Sequence, residues 1–266
     1  GYLHAGHISL VRRARAESEH VVVSIFVNPT QFGPNEDFEK YPRDTERDLR
    51  LLDEAGADVV FMPPVEEMYP PGFDEWVEVT GPLTERLEGA ARPGHFRGVT
   101  TVVARLFRIV QPARAYFGQK DAQQLRVIRR MAAEQGLPVE IVAMPIVREP
   151  DGLAMSSRNV YLTAEQRGAA LALSGALRHA RRMVMEDGVA DANLVRAAVF
   201  RIVQQQPLVA LEYVSVADEE TLEELAAIDR PAIVLVAARV GFTRLIDNVV
   251  VVPKGMVVPE GLRELV

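Results

Sequence analysis

Apolar and polar residues alternate in the first half of the chain in a way that predicts strands and helices in turn. Short, nearly continuous apolar runs are typical of buried parallel strands. Such runs lie at 20–28, 57–62, 114–117 and 139–144. Segment 99–110 is apolar on nearly every helical face, which predicts a buried helix. This alternation predicts an α/β fold with a mostly parallel, doubly wound, Rossmann-like sheet.

Three further features of the first half connect these elements. Residues 76–79 predict an edge strand. The glycine-rich residues 88–98 predict a long polar loop, more elaborate than a simple connection needs. Asp44 is placed to cap a helix that ends near Gly56.

The pattern changes after residue 148. Thr163 and Gln166 have the spacing of a capping box, which predicts a long helix over 163–187, and a second helix is expected after Asp191. Apolar runs predict strands at 211–216, 232–237 and 244–251. We therefore predict two domains, a Rossmann-like α/β domain over 1–148 and a smaller α+β domain over 149–266.

The composition narrows the class of protein. The chain has 266 residues, of which 48% are hydrophobic, a net charge of −7 and no cysteine. An acidic chain without a basic block is not expected to bind nucleic acid, and its apolar runs are too short to span a membrane. A chain without cysteine has no disulfides and no thiolate chemistry, which fits a cytoplasmic protein.

The first seven residues carry the strongest chemical signal. His4, Gly6 and His7 stand where a helix is predicted to begin, because apolar residues recur at helical spacing from Ile8 onward. A helix N-terminus attracts anions, and two imidazoles there can donate hydrogen bonds to a triphosphate as charge develops. Surface histidines at a frayed chain end explain the same residues equally well. A metal site is not predicted, because no nearby carboxylate or third histidine completes a ligand set.

The place of this turn at the start of the sequence is unusual. In α/β proteins a phosphate-binding turn follows a strand, and no strand precedes it here. We therefore expect a sheet that lacks its first strand. Because that strand would be central in a doubly wound sheet, we also expect its absence to lower stability and activity.

Two other polar segments are candidates for phosphate binding. Lys120, at a predicted strand-to-helix turn, suits a phosphate, and Asp121 suits a helix cap or a ribose hydroxyl. A solvent-exposed Lys–Asp pair is the common alternative. Residues 155–158 offer two hydroxyls and a guanidinium that can clamp a triphosphate from a mobile loop, and an ordinary linker is the alternative there.

Six motifs give the chain a resemblance to the pantoate–β-alanine ligase (pantothenate synthetase) family over essentially its whole length. They are GYLHAGH at 1–7, VNPTQF at 27–32, EGAARPGHFRGV at 88–99, FGQKDAQQ at 117–124, DGLAMSSRN at 151–159 and RLIDN at 244–248. The first and fifth are similar to the H-x-G-H and K-M-S-K-S signatures of nucleotidyl-transferring enzymes. The resemblance favours the phosphate-binding interpretation of the two histidines over that of surface residues.

The resemblance implies a two-step reaction that uses ATP and Mg²⁺. The carboxylate of pantoate attacks the α-phosphate of ATP, which gives pantoyl adenylate and pyrophosphate. β-Alanine then attacks the acyl group and releases AMP, so that pantothenate is formed. The family resemblance also implies a homodimer. Cations must offset the repulsion between carboxylate and triphosphate, and the residues implied are His4, His7, Lys120 and Arg158.

The resemblance also assigns residues to each substrate. His7 is the proton donor toward the leaving pyrophosphate. Gln31 and Gln124 map to pantoate, and Gln31 also to β-alanine; amides suit this role because they both donate and accept. An apolar wall against the pantoate methyl groups maps to Val99, Val102 and Val103, although a simple helix core explains these valines equally well. Contacts to ATP map to Gly1, Tyr2, Leu3, His4, Ala5, Gly6, His7, Gly118, Gln119, Lys120, Asp121, Val147, Met155, Ser156, Ser157 and Arg158.

The chain departs from the family pattern at its start. Family members carry an upstream strand that ends in a Pro-Thr-Met turn directly before the residue matching Gly1. Two alternatives therefore stay open. One is another nucleotidyltransferase of the same superfamily, which would release pyrophosphate without forming an amide. The other is an inactive, truncated remnant that binds ATP weakly or not at all.

Overall fold

The computed structural model divides the chain into two compact units. The described residues are 1–34 and 36–266. The first unit comprises 1–118 and 123–143, and the second comprises 119–122 and 144–266. The main segment of the second unit begins at residue 144, close to the domain boundary that the sequence predicts at 148. The second unit also contains the turn at 119–122, which we predicted in the first domain. Each unit has its own hydrophobic core.

Several helices begin and end at residues that the sequence marks as caps. Asp44 accepts a hydrogen bond from Arg47 N at 3.1 Å, and Gly56 ends the same helix with a φ of 85°. Thr163 and Gln166 form the predicted capping box. The helices of the described chain are Ala5–Glu17 (α1), Thr45–Ala55 (α2), Val65–Met68 (α3), Pro82–Glu85 (α4), Glu88–Ala91 (α5), His95–Val110 (α6), Ala122–Glu134 (α7), Ala164–Met185 (α8) and Ala192–Gln204 (α9).

The strands fall into a parallel and an antiparallel group, one in each unit. Their bounds are Val22–Ser24 (β1), Val59–Phe61 (β2), Arg114–Gly118 (β3), Glu140–Met144 (β4), Val209–Asp218 (β5), Ala232–Val240 (β6) and Thr243–Val251 (β7). Short 3₁₀ turns lie at Pro29–Gln31, Gln119–Asp121, Ser157–Tyr161 and Glu260–Leu262.

The first unit contains two two-stranded sheets. β1 and β2 are parallel, with Val22 opposite Val59, and β3 pairs with β4 through the crossover helix α7. The predicted α/β fold class is confirmed, and the predicted sheet is present as these two pairs. β1 and β2 are shorter than predicted, and Val22 and Val59 are 40% and 52% exposed. The expectation that these runs are buried throughout is therefore wrong, because each strand has a single hydrogen-bonded neighbour among the described strands.

Residues 76–79 do not form the predicted edge strand. Side chains of α6 take the place of a neighbouring strand. Val77 N donates to Thr101 Oγ1 at 3.0 Å, and Val77 O accepts from Thr100 Oγ1 at 2.5 Å. Val77 and Val79 are buried. The two valines are therefore buried without a partner strand, because threonines on a helix supply the backbone partners.

Residues 88–98 form α5 and the first turn of α6 instead of the predicted long loop. The close approach of α6 to the turn at Pro29–Gln31 explains one of the glycines in this stretch. A Cβ on Gly98 would lie 2.4 Å from Thr30 O, which is too close for any side chain. The glycine thus allows the start of α6 to pack directly on the Pro29–Gln31 turn.

The second unit is an antiparallel sheet packed against two helices. β5, β6 and β7 lie side by side, with Val216 opposite Val234 in the centre, and the apolar faces of α8 and α9 share the core with them. These strands and helices confirm the smaller α+β domain of the predicted fold class. In the described residues, none of the helices has the length and apolarity that a bilayer crossing requires.

Candidate functional site

The two histidines of the opening motif cap the same helix and lie against each other. His4 is the N-cap of α1, and its Nδ1 accepts a hydrogen bond from Gly6 N at 3.1 Å. His7 Nδ1 accepts from His4 N at 3.2 Å. The ring centroids are 4.0 Å apart. The sequence prediction that both imidazoles stand at a helix N-terminus is therefore confirmed.

These contacts determine where a neutral ring carries its hydrogen. A backbone N–H only donates, so the Nδ1 atoms of His4 and His7 are acceptors. The hydrogen of each neutral ring is then on Nε2. Two Nε2–H donors beside a helix N-terminus suit an anion, because the helix adds backbone N–H groups and a positive dipole end.

A buried carboxylate holds the residues that precede His4. Asp48 on α2 is 1% exposed and accepts hydrogen bonds from Tyr2 N and Leu3 N, both at 2.6 Å. Arg47 donates to Leu3 O at 2.8 Å, and its guanidinium lies 5.1 Å from the centre of the Tyr2 ring. Tyr2 has a φ of 57°, which is unfavourable for a non-glycine residue. Asp48 and Arg47 therefore hold a strained backbone in place, and sequence reasoning missed both.

Gln31 is the centre of a second polar group in the first unit. Asn28, which is 3% exposed, donates to Gln31 Oε1 at 3.0 Å and to Gly98 O at 3.1 Å. Tyr69 donates to Asn28 Oδ1 at 2.7 Å, and burial raises the pKa of the Tyr69 hydroxyl, which keeps it a donor. Because its oxygen is occupied by Asn28, the Gln31 amide presents its NH₂ group as a donor. Asn28 lies within a motif of the sequence, but its orienting role was not predicted.

Adjacent glutamines on α7 have different environments. Gln123 is buried and fully bonded, because it donates to Leu83 O and Arg86 O and accepts from Glu88 N. Gln124 is half-buried on the next position of the helix. The structure thus gives Gln123 a packing role, and Gln124 stays the predicted ligand residue.

The three valines predicted to contact pantoate belong to the hydrophobic core of the first unit. Their exposed fractions are 9% or less. Core packing therefore accounts for their apolar character, and their contact with substrate stays a prediction. The residues concerned are Val99, Val102 and Val103.

In the second unit, an asparagine on β7 holds the turn that carries Lys120. Asn248 Nδ2 donates to Gln119 O and to Lys120 O, each at 3.0 Å. Asn248 is 2% exposed, whereas Lys120 is half-buried and Asp121 is exposed. Lys120 forms no ion pair with any residue in the described part of the chain. The binding of a ligand by Lys120 stays a prediction, and the role of Asn248 in holding this turn was not predicted.

The loop that contains residues 155–158 is held by local hydrogen bonds. Met155 N donates to Val147 O at 3.0 Å, which places two of the predicted ATP residues side by side. Ser156 Oγ accepts from Arg158 N at 3.3 Å and so begins the Ser157–Tyr161 turn. The segment is thus a structured turn, and its contact with a triphosphate stays a prediction.

The described residues include no group of three or more His, Cys, Asp or Glu side chains that could hold a metal ion. Mg²⁺ commonly keeps several waters and binds through one or two carboxylates together with substrate phosphates. Such a site needs no cage of protein ligands.

Comparison with known proteins decides the family. The model of the family described as pantoate-beta-alanine ligase matches residues 1–250. The chain belongs to the pantoate–β-alanine ligase family. The family predicted from the six motifs is therefore confirmed, and with it the enzyme class, a ligase that joins pantoate to β-alanine.

Relatives in this family match the chain over most of their length. The pantothenate synthetase of Thermotoga neapolitana is 60% identical over 250 residues, which are 94% of this chain and 89% of that protein. The pantothenate synthetase of Roseiflexus sp. (strain RS-1) is 59% identical with the same coverage. Family membership favours the ligase over the other nucleotidyltransferases that the sequence left open.

Solved structures of the family share this fold. Pantothenate synthetase from Thermus thermophilus superposes with a TM-score of 0.92 at 53% identity, covering 95% of this chain and 91% of that one. The pantoate–β-alanine ligase from Francisella tularensis, complexed with βγ-ATP and β-alanine, has a TM-score of 0.76 at 33% identity, covering 93% and 85%.

The predicted site residues of this pantoate–β-alanine ligase family member fall into both units. The first unit holds 1–7, Gln31, the three valines, Gly118 and Gln124. The second unit holds 119–121, Val147 and 155–158. Their individual roles toward substrates stay predictions.

Proposed function

We propose that this protein condenses pantoate with β-alanine in two steps at the expense of ATP. In the first step a carboxylate oxygen of pantoate attacks the α-phosphorus, and the bond to pyrophosphate breaks. In the second step the amine of β-alanine attacks the acyl carbon, loses a proton, and expels AMP. The products are pantothenate, AMP and pyrophosphate, and the carboxylate oxygen that attacked leaves with AMP.

The pair of capping imidazoles carries this proposal. His4 and His7 direct Nε2–H groups away from the backbone that binds their Nδ1 atoms. A triphosphate gains negative charge on its leaving oxygens in the transition state, and fixed donors at that position stabilise the transition state more than the ground state. We assign His7 as the proton donor on the pyrophosphate side and His4 as its partner in binding the phosphates. Mg²⁺ enters as part of the substrate, MgATP.

In the first unit the amides are assigned to the acid substrate. Gln31 presents NH₂ because Asn28 occupies its oxygen, and this suits the carboxylate or a hydroxyl of pantoate. Gln124 supplies a second amide, and β-alanine is assigned to the neighbourhood of Gln31. The three valines of α6 provide apolar surface for the pantoate methyl groups.

In the second unit the cations are assigned to ATP. Lys120 and Arg158 contact phosphate oxygens, and the backbone around them, with Val147 and Met155, contacts the rest of the nucleotide. We further propose that the enzyme acts as a homodimer in the cytoplasm, where its ATP is supplied.

The identity of the nucleotide product tests this function. The protein is incubated with ATP, MgCl₂, β-alanine and pantoate labelled with ¹⁸O in its carboxylate. We expect AMP that carries one ¹⁸O atom, together with pyrophosphate and pantothenate. ADP and phosphate would indicate an acyl-phosphate ligase. Pyrophosphate without pantothenate would indicate another nucleotidyltransferase, and no turnover at all would indicate the inactive remnant.

A further inference from the structure

A buried histidine on α6 contacts the backbone of Gln31, whereas Asn28 contacts its side chain. His95 is 8% exposed, and its Nδ1 lies 2.9 Å from Gln31 O. Arg92 NH2 donates to the same carbonyl at 3.2 Å. Two donors therefore converge on the main chain of a residue that we assign to pantoate.

The partners of the His95 ring fix its tautomer. A carbonyl oxygen only accepts, so Nδ1 carries the hydrogen that bonds to Gln31 O. Nε2 then has a lone pair, and Arg92 NH1 donates to it at 3.1 Å. The guanidinium is held in turn by Glu36, whose two oxygens lie 2.7 Å from Nε and 2.6 Å from NH2. This bidentate pair orients Arg92 toward the ring.

The charges around the ring keep it neutral. Burial, with the neighbouring Arg92 charge, lowers the pKa of His95 to about 4, against smaller opposing effects of Gln31 O, Glu36 and Glu88. Burial works against the charged form of Glu36, but its hydrogen bonds to Arg92 outweigh this and lower its pKa. At neutral pH the group is thus Glu36⁻, Arg92⁺ and a neutral His95 with hydrogen on Nδ1.

We propose that His95, with its tautomer set by the Arg92–Glu36 pair, is a positioning residue for Gln31 and thereby sets the affinity for pantoate. This inference rests on the proposed function, because it assumes that Gln31 binds pantoate. His95 holds the main chain, Asn28 holds the side-chain oxygen, and the NH₂ group is left aimed at the ligand. His95, Arg92 and Glu36 act through Gln31 and need not touch a substrate themselves.

Two nearly isosteric substitutions separate this role from packing. In H95N the amide NH₂ occupies the place of Nδ1 and keeps the donor to Gln31 O. In H95Q the amide lies where Nε2 was, so that carbonyl loses the shorter of its two side-chain hydrogen bonds and keeps the one from Arg92. H20Q, at an exposed histidine of the same unit, is the matched control. The measured quantities are kcat and KM for pantoate, ATP and β-alanine, with Q31A as the reference variant.

We expect H95Q to raise KM for pantoate about tenfold, the effect of one lost hydrogen bond, while KM for ATP changes less than twofold. H95N and H20Q should stay within about threefold of the unmodified enzyme. If Q31A raises KM for pantoate but H95Q does not, this inference fails and the proposed function stands. If Q31A leaves KM for pantoate unchanged, the role of Gln31 and this inference both fail. Equal effects of H95N and H95Q would also overturn it, since packing alone would explain them.

A measurement on the unmodified protein covers the case in which H95Q does not fold. Nitrogen-15 NMR of the histidine rings distinguishes a protonated from an unprotonated ring nitrogen, and the His95 signals are those missing from H95N. We expect a protonated Nδ1 and an unprotonated Nε2 at pH 7. A ring with hydrogen on Nε2, or a ring charged at pH 7, would overturn the proposal.

Discussion

Replacing Asp48 by asparagine tests how firmly the phosphate-binding turn is held. The carboxylate accepts Tyr2 N and Leu3 N at 2.6 Å each, inside a site that is 1% exposed. Asparagine has nearly the same shape but one acceptor oxygen, so one backbone N–H faces an NH₂ group. A hydrogen bond to a charged group contributes about 1.5–3 kcal/mol, and an unsatisfied buried donor costs about 1–3 kcal/mol. We therefore expect D48N to lower the free energy of unfolding by about 2–4 kcal/mol.

The single tryptophan of the chain gives a direct assay. Trp76 lies in the first unit, so its fluorescence during urea denaturation reports the unfolding of that unit alone. The same variant should slow adenylation at least tenfold, because His4 follows directly on the released backbone and small displacements of catalytic groups are costly. D53N changes an exposed aspartate on the same helix and should stay within about 0.5 kcal/mol. A D48N protein as stable as D53N would refute the reasoning.

Five further outcomes are expected. H7A should slow adenylation about 10²-fold or more, as expected for loss of a donor to developing charge, and should affect aminolysis of preformed pantoyl adenylate much less. Q124A should raise KM for pantoate more than KM for ATP, whereas Q123A should lower stability by about 2 kcal/mol or more, because it removes the acceptor of the buried Glu88 N and the hydrogen bonds to Leu83 O and Arg86 O. N248D should raise KM for ATP about tenfold or more, since it replaces two donors to the Lys120 turn by an acceptor. Stability should fall between pH 6.5 and about 4, because unfolding lets His95 take up a proton that the folded state excludes.

Each of these outcomes has a contrary result, which for Q123A is a stability equal to that of the unmodified protein. Equal losses in both half-reactions would make His7 structural, and a Q124A effect confined to ATP would remove its pantoate assignment. An N248D enzyme with an unchanged KM for ATP would show that the Lys120 turn needs no support from β7. For the pH effect, the pKa of His95 is lowered from 6.5 to about 4 in the folded state. At about 1.4 kcal/mol per pKa unit, its full contribution to the free energy of unfolding is about 3 kcal/mol. H95N, which does not titrate, should show a flatter curve, and a curve as steep as that of the unmodified protein would contradict the assignment.

Local patterns in the sequence determined the elements and their ends. The helix start after His4, the capping box at Thr163 and Gln166, and the three strands of the second unit follow from interactions between residues a few positions apart. Short motifs also identified the family, because phosphate-binding turns keep their residues close together in the chain. Local patterns were wrong at 76–79 and 88–98, where α6 supplied partners and packing that no neighbour in sequence could reveal.

Tertiary structure alone decided which residues hold the site in place. Asn248 reaches the backbone of Gln119 across 129 positions, His95 reaches Gln31 across 64, and Asp48 reaches Leu3 across 45. Each of these hydrogen bonds joins a side chain to a backbone atom. Every residue type except proline carries the same backbone groups, so the identity of the partner residue does not reveal the bond in the sequence. The sequence alone does not distinguish a buried aspartate from an exposed one. Only folding brings a distant backbone N–H or C=O within hydrogen-bonding distance, and the cost of leaving such groups unpaired makes these contacts obligatory.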